Sequence, residues 1–466
     1  MSRYVLVVLV VLAGMGPGYG ADAAPEERTN VVLIMTDDQG AWSAGCYGNA
    51  EAHTPVIDRL AADGVRLTHA FAATPVCSPS RATFFTGRIP SQHGIHDWIK
   101  WENIGPRARY CLEGEVTLSD ILAQHGYACG LVGKWHLGDN MHPQAGFTYW
   151  YVLPQGSSRY QDAEVIWQGE IIKTKGYLTD RITDRAIGFL DAHRDRPFYL
   201  EVQYNAPHGP WSGHDPELVS LFKECPFDSI PKLPVHPWAS VSTGHIGKRE
   251  SLAQYFAACA GIDRGVGRIV KYLDNLGLSG STLVIFTSDQ GFCVGHHGIW
   301  GKGNGTNPRN MYDTSLRVPM IFRHPGHLPG GRVLDALVSA YDFLPTVLDY
   351  LGLPPSPGRN LPGWSFAALV RGQASDDYAD VIYGEYGHTR MIRTRHHKYV
   401  HRADGGPLEL YDLKNDPDES TNLADAGEHR GLKIQLRTWL FKWFDRYVEA
   451  GADPVGHEYL HPRDRK

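Results

Sequence analysis

The chain has 466 residues, 42% of them hydrophobic and 21% charged, with a formal net charge of −6. That is an ordinary globular composition, long enough to bury a large core and to fold as two domains. The mild acidity offers no basic surplus to neutralise phosphates, which argues against a nucleic-acid partner, although a locally basic cleft could still take an acidic polymer.

In chain order, Arg3 precedes an apolar run from Tyr4 to Ala13, and Ala21-Asp22-Ala23 follows as a small-x-small cleavage site. This predicts an export signal over residues 1–23. The run is short for a membrane span, and no cysteine near the cleavage site suggests a lipid anchor. The expectation is an exported protein, periplasmic or extracellular, without a stable membrane anchor. Seven cysteines are few for this length. Their odd number leaves at least one without an intrachain partner, Cys77 being the obvious candidate, and the pairing of the others stays open.

Short apolar runs then alternate with helical patterns, which predicts an α/β fold. Val31 to Met35 reads as a buried strand ending at Thr36-Asp37-Asp38. Pro55 to Ala62 reads as a helix and Val65 to Phe71 as a strand. Thr117 to His125 is helical with Gly126 as its stop, and Tyr127 to Val132 is a strand leading into Gly133-Lys134-Trp135-His136. Leu178 to His193 is a long helix. Phe198 to Gln203 is a strand ending near Asn205-Ala206-Pro207-His208. Ser251 to Leu276 is a second long helix, and Thr282 to Thr287 a central strand ending in Ser288-Asp289-Gln290. The polar clusters follow strand C-termini, where open α/β sheets bind ligands. The Pro- and Gly-rich stretch from Pro354 to Gly363 marks a boundary. Beyond it, Val381–Tyr386, Met391–Arg395, Lys398–His401 and Leu408–Asp412 read as a small antiparallel sheet. An amphipathic helix near Leu432 to Val448 closes the chain. The expected division is a catalytic domain over 28–363 and a C-terminal α+β subdomain over 376–466.

The run Cys77-Ser78-Pro79-Ser80-Arg81 sets a cysteine one residue ahead of a helix start, with proline in the first turn, where it costs no hydrogen bond. Free amides and the helix dipole favour an anion there, and Arg81 adds a planar donor fork. Asp37, Asp38 and Asp289 with the amide of Gln290 offer the oxygen ligands that a hard cation such as Ca²⁺ takes. Lys134 and His136 are alternate residues of an extended segment and can face one site, as an oxyanion partner and a proton carrier. His208 sits in a tight Pro-His-Gly turn, and Lys302 is flanked by glycines. His93, His296 and His297 do not read as a zinc site, because the carboxylate-rich set calls for a harder metal.

Cys77-Ser78-Pro79-Ser80-Arg81, continued to Thr86-Gly87-Arg88, resembles the type I sulfatase signature C-x-P-S-R-x-x-x-x-T-G. Gly133-Lys134-Trp135-His136-Leu137-Gly138 is similar to a second signature of that family. The resemblance runs from Val31 to about Leu423. It implies an alkaline-phosphatase-like central mixed sheet flanked by helices, with a smaller C-terminal subdomain. It also implies that Cys77 is oxidised by a separate maturation enzyme to formylglycine (3-oxoalanine), whose hydrate is the nucleophile. Asp37, Asp38, Asp289, Gln290 and residue 77 would hold Ca²⁺. Gln290 departs from the Asp-Asn or Asp-His pair common at that place. Arg81 would hold the hydrate, Lys134, His208 and Lys302 would contact sulfate or the leaving oxygen, and His136 would act as base. His96, Trp98 and Trp101, with His388 and Arg390, are candidate sugar-subsite residues. The expected function is hydrolysis of a sulfate monoester, on a sulfated carbohydrate given export and those aromatics. Three other readings stay open. They are a phosphodiesterase or phosphonate monoester hydrolase of the same superfamily, a hydrolase using Cys77 as a thiolate, and a non-catalytic binder of sulfated glycans.

Overall fold

The computed structural model describes residues 28–356, 358, 360–373 and 380–455. The expected export signal lies outside the described residues, as do the first residues of the expected C-terminal subdomain. Strands up to the boundary are β1 (Asn30–Asp37), β2 (Val65–Phe71), β3 (Ala128–Gly133), β4 (Tyr149–Val152), β5 (Glu164–Trp167), β6 (Glu170–Lys173), β7 (Phe198–Pro207), β8 (Thr282–Ser288), β9 (Cys293–Val294), β10 (Trp300–Gly301), β11 (Arg317–Arg323) and β12 (Arg332–Ser339). All but β9 and β10 join one sheet in the order β12-β2-β11-β8-β1-β7-β3-β4-β5-β6. Its centre is parallel, β1 lying between β7 and β8 with Val31 beside Tyr199 and Leu283. Antiparallel pairs flank it, β11 against β8 on one side and β4–β5–β6 on the other.

The central strands are mostly apolar because both faces are covered, with Glu201 and Gln203 of β7 as buried exceptions. Helices up to the boundary are α1 (Pro55–Ala62), α2 (Cys77–Thr86), α3 (Pro90–His93), α4 (Leu118–Gln124), α5 (Leu178–His193), α6 (Pro216–Ser220), α7 (Arg249–Asn275), α8 (Asp313–Leu316), α9 (Phe343–Tyr350) and α10 (Ala367–Val370). Val32 and Ile34 of β1 pack on one face with Ile182, Phe189, Ile262 and Val266 of α5 and α7. Val31, Leu33 and Met35 pack on the other with Phe84 of α2, Ile121 of α4 and Val347 of α9. This alternation follows from the two-residue period of a strand.

The C-terminal region is an antiparallel sheet of β13 (Val381–Tyr386), β14 (Thr389–Thr394), β15 (His397–Arg402) and β16 (Glu409–Asp412), covered by α11 (Arg430–Tyr447). Leu436, Leu440 and Phe444 of α11 bury Ile392, Tyr399 and Leu410. The other face of the small sheet meets the large domain, where Ile382, Tyr386 and Met391 pack with Phe71, Val76 and Leu337. The small sheet therefore abuts the segment just before Cys77.

Candidate active site

Neighbouring parallel strands end together, so β1, β8, β3 and β7 deliver their following residues to one edge. Thr36 pairs with Ser288, and the Asp289 amide donates to Thr36 O at 3.0 Å. Asp38 takes a left-handed φ of 67°, which turns the chain and directs two successive carboxylates into the same space. Tyr255 of α7 donates to Asp38 O at 2.8 Å and fixes that turn. Gly133 is required where it stands. A Cβ there would lie 1.9 Å from Gln203 O, and its φ is 114°. With glycine, β3 closes on β7 and the Lys134 amide donates to Gln203 O at 2.8 Å.

Helix α2 meets this edge with its N-terminus. Val76 is extended (φ −159°) and caps with no side chain, so Cys77 is the first helical residue and not the one before it. The first-turn amides are left without a capping side chain, as an anion site needs. Cys77 Sγ lies 2.8 Å from Lys302 Nζ, 3.7 Å from Asp37 Oδ1 and 3.9 Å from Gln290 Nε2. Lys302 Nζ also bonds Asp38 Oδ1 at 2.5 Å, and Lys134 Nζ bonds Asp37 Oδ2 at 2.6 Å. His208 Nε2 stands 3.8 Å from Asp38 Oδ2. Three buried carboxylates thus face three buried cations, Arg81, Lys134 and Lys302.

Arg81 is fully buried and held on three sides. Nε and Nη2 each lie 2.9 Å from Asp289 Oδ2, and Nη1 donates to Lys134 O at 3.0 Å and Gln203 Oε1 at 2.9 Å. His136 has a φ of 63°. Its Nε2 contacts Ile99 O at 2.9 Å, while its Nδ1 is buried without a partner among the described residues.

Electrostatics differ along the cluster. Burial opposes the Asp37 charge, yet Lys134, His208, Lys302 and Arg81 outweigh it and hold the carboxyl well below the usual range. Asp289 goes the other way, pushed up to about 7 by burial and by the Asp37 charge. Burial also raises the Cys77 thiol. Burial and then Lys134 hold His136 well below its ordinary value, so its ring is neutral near pH 7. Burial disfavours the Lys302 charge, but Asp38, Cys77 and Asp37 more than compensate and keep it an ammonium.

The donor set suits a hard divalent cation. The Gln290 amide nitrogen lies 2.6 Å from Asp38 Oδ1 and 3.4 Å from Asp37 Oδ1, while its Oε1 is buried with no partner among the described residues. The two ends of an amide exchange by a flip. A cation among Asp37, Asp38 and Asp289 would give that oxygen its partner, as oxygen-seeking ions require.

The expected subsite residues divide. Trp98 and Trp101 are 40% and 59% exposed on the loop after α3. That loop touches the site, because the Ile99 amide donates to Ser78 Oγ at 3.1 Å and Ile99 O contacts His136. His96 Nε2 contacts Ala452 O at 2.5 Å, and His388 is exposed at the β13–β14 turn. Arg390 is not brought to the cluster. It is buried and bound to Asp453 at 2.6 Å with Glu385 at 3.8 Å, which makes it a strut for the C-terminal segment. All seven cysteines are unpaired.

A row on β7 escapes a motif search. Tyr199, Glu201 and Gln203 alternate onto one face. Tyr199 OH donates to Glu201 Oε1 at 2.6 Å, Gln203 Nε2 donates to Glu201 Oε2 at 2.7 Å, and Gln203 then receives Arg81. The available signal was two polar residues two apart in an otherwise apolar strand. Burial pushes Glu201 up to about 8 from 4.5. The native state keeps that proton while the unfolded chain releases it, so this group lowers stability as pH rises between those values. Glu201→Gln is expected to gain on wild type by up to a few kcal/mol between about pH 5 and pH 8. A variant-minus-wild-type difference in unfolding free energy that stays flat over that range would refute the assignment.

Residues 29–353 match the sulfatase family model. The chain belongs to the sulfatase family. Residues 295–445 of this sulfatase also match the C-terminal model described as N-sulphoglucosamine sulphohydrolase. The chain is 27% identical to an N-acetylglucosamine-6-O-sulfatase of Bacteroides thetaiotaomicron, over 96% of this chain and 92% of that one. A solved structure in complex with its substrate, D-glucosamine-2-N,6-O-disulfate, superposes with a TM-score of 0.78 at 25% identity, covering 90% of this chain and 98% of that chain. The phosphonate monoester hydrolase of Agrobacterium radiobacter shares the fold at a TM-score of 0.71 and 23% identity, over 90% and 96% of the two chains. The sulfatase thus has the alkaline-phosphatase type of mixed sheet. No helix among the described residues is long and apolar enough to cross a membrane.

Proposed function

We propose that this sulfatase removes sulfate from an O-sulfated sugar, with residue 77 as nucleophile after its oxidation to formylglycine by a maturation enzyme. The observation that carries the reading is the contact of Cys77 with Lys302 and Asp37 at the N-terminus of α2. The oxidised residue would supply a hydroxyl that attacks sulfur, and Ca²⁺ held by Asp37, Asp38, Asp289 and Gln290 would supply Lewis acidity. The chain's own side chains do the rest. Lys302 and Lys134 offset charge on the sulfate oxygens. His208, half-buried at the rim, faces the departing alcohol oxygen, and Lys302, held as an ammonium, gives that oxygen its proton. His136 is neutral and has a free Nδ1, so it can accept a proton. Arg81 holds the Asp289 carboxylate in place.

A sulfated amino sugar is the substrate class that the likeness to the N-acetylglucosamine-6-O-sulfatase and to the glucosamine-disulfate complex supports. Trp98 and Trp101 would then form the sugar-facing wall, and export would place the enzyme where such glycans are met. Steady-state rates on paired 4-nitrophenyl sulfate and phosphate esters, and on 6-O-sulfated glucosamines, test this. The sulfate ester should be preferred, and the sugars should be desulfated. Faster turnover of the phosphate ester would replace the reading with phosphoester or phosphonate hydrolysis. Activity confined to aryl sulfates would remove the sugar.

A further inference from the structure

A second cleft, of about 330 Å³, has Ala41 and Trp42, which follow the Asp37–Asp38 turn in sequence, in its wall. Its walls include Trp42, His69, His296, Arg317, Arg393 and Arg395. The cationic side chains differ in what they already hold. Arg393 gives Nε and Nη2 to Asp313 and Nη1 to Thr394 O. Arg395 is bound by Asp335 and Asp380. Arg317 at the start of β11 donates only Nε, to Thr68 O at 2.8 Å. Neither of its Nη atoms has a hydrogen bond or an ion pair among the described residues. Asp313 and Asp418 also line the cleft, but Asp313 is engaged by Lys398 at 2.5 Å as well as by Arg393. Arg66, which lies over the ring of the wall residue Tyr47 at 5.0 Å, has no ion pair among the described residues either.

Three arginines and two carboxylates line the cleft. Burial lowers the Arg317 guanidinium below its ordinary value; Asp313 and Tyr47 resist this, and Arg393 and Arg66 add to it. Burial, then Arg317 and Arg393, likewise lower His69, against Asp335, whose Oδ1 lies 2.8 Å from its Nδ1. A half-buried guanidinium with two open Nη groups, beside like charges, is a donor fork lacking its acceptor.

We propose that this cleft binds a tetrahedral oxyanion, sulfate or phosphate, at the Arg317 fork, as a site separate from Cys77. The shared chemistry could reach it as a free ion or as a second sulfate group of the glycan. The site does not depend on which ester is hydrolysed at Cys77.

Crystals of the full chain soaked in sodium selenate locate it by the anomalous signal of selenium. A selenate within hydrogen-bond reach of Arg317 Nη is expected in wild type and should be absent in Arg317→Gln. A cleft empty at saturating selenate, or a peak undiminished in Arg317→Gln, overturns the proposal. An empty wild-type crystal overturns the proposal even if the variant folds poorly. Calorimetric titration with inorganic sulfate and kinetics on a sulfated glucosamine-containing tetrasaccharide separate the sources. A free-ion site shows sulfate binding about tenfold or more weaker in Arg317→Gln. A glycan site shows KM for the tetrasaccharide raised by a similar factor, with 4-nitrophenyl sulfate kinetics unchanged. If neither quantity moves, a selenate at Arg317 is an adventitious ion only, and the proposal fails.

Discussion

Alanine at position 77 is expected to abolish sulfate-ester turnover, by roughly a millionfold as for other deleted nucleophiles, while the protein still folds. The structural cost is small. Cys77 is a short buried side chain whose Sγ touches Lys302, Asp37 and Gln290 and no apolar cluster at close range. Removing one sulfur should change stability by about 1 kcal/mol, read as a modest shift in denaturant midpoint. The companion measurement is the mass of the peptide carrying residue 77, from a host that contains the maturation enzyme. A thiol replaced by an aldehyde is expected. The local electrostatics argue for this over a thiolate enzyme. Burial raises the thiol, and Asp37 and Asp289 reinforce it against Lys134 and Lys302, so a helix N-terminus alone does not ionise it. An intact thiol in fully active protein would sink the formylglycine reading. Retained turnover in Cys77→Ala would sink any reading that uses this residue.

Much of the sheet was legible because β1, β3 and β8 hold unbroken apolar runs that end in polar residues. Val65–Phe71 and Leu178–His193 fall where their patterns put them, as do Pro55–Ala62 and Val381–Tyr386. Strands β4, β5 and β6 are four residues each, too short to set a period, and they gain their pairing only from the sheet edge they extend. Cys77 is shifted by one residue from its expected place because the extended Val76 serves as the cap, and no capping side chain marks that boundary. Arg390 carried no sequence sign of its partner. Asp453 lies 63 residues further on, and only the packing of the last segment against α3 and β14 brings them together. Signature residues were legible as a set because each follows a strand end. The Tyr199–Glu201–Gln203 row was not, since an apolar-looking strand hides two polar residues that face each other only after folding.

The second large effect concerns the pair behind the nucleophile. Arg81 and Asp289 are both fully buried, their charged atoms 2.9 Å apart. Above about pH 8, where Asp289 is ionised, removing one member of such a pair leaves a charge in a low-dielectric interior and costs about 3–5 kcal/mol, more than the pair itself contributes over an apolar substitute. Arg81→Met is therefore expected to lose stability on that scale in urea unfolding, besides losing activity. Gln203 Oε1 and Lys134 O would each lose a donor as well. Adding Asp289→Asn should recover most of the stability and none of the activity, because the stranded carboxylate is gone while the oxygen ligand set is broken. The two changes share one contact, so their effects must be non-additive. Equal and additive losses would mean that the pair is not coupled, and that Arg81 acts on bound sulfate independently of Asp289. Arg81→Lys discriminates further. It keeps the charge but cannot reach Asp289, Gln203 and Lys134 O together. It should fold nearly as well as wild type and still fail in turnover, separating the need for positive charge from the need for a fork that fixes three partners at once.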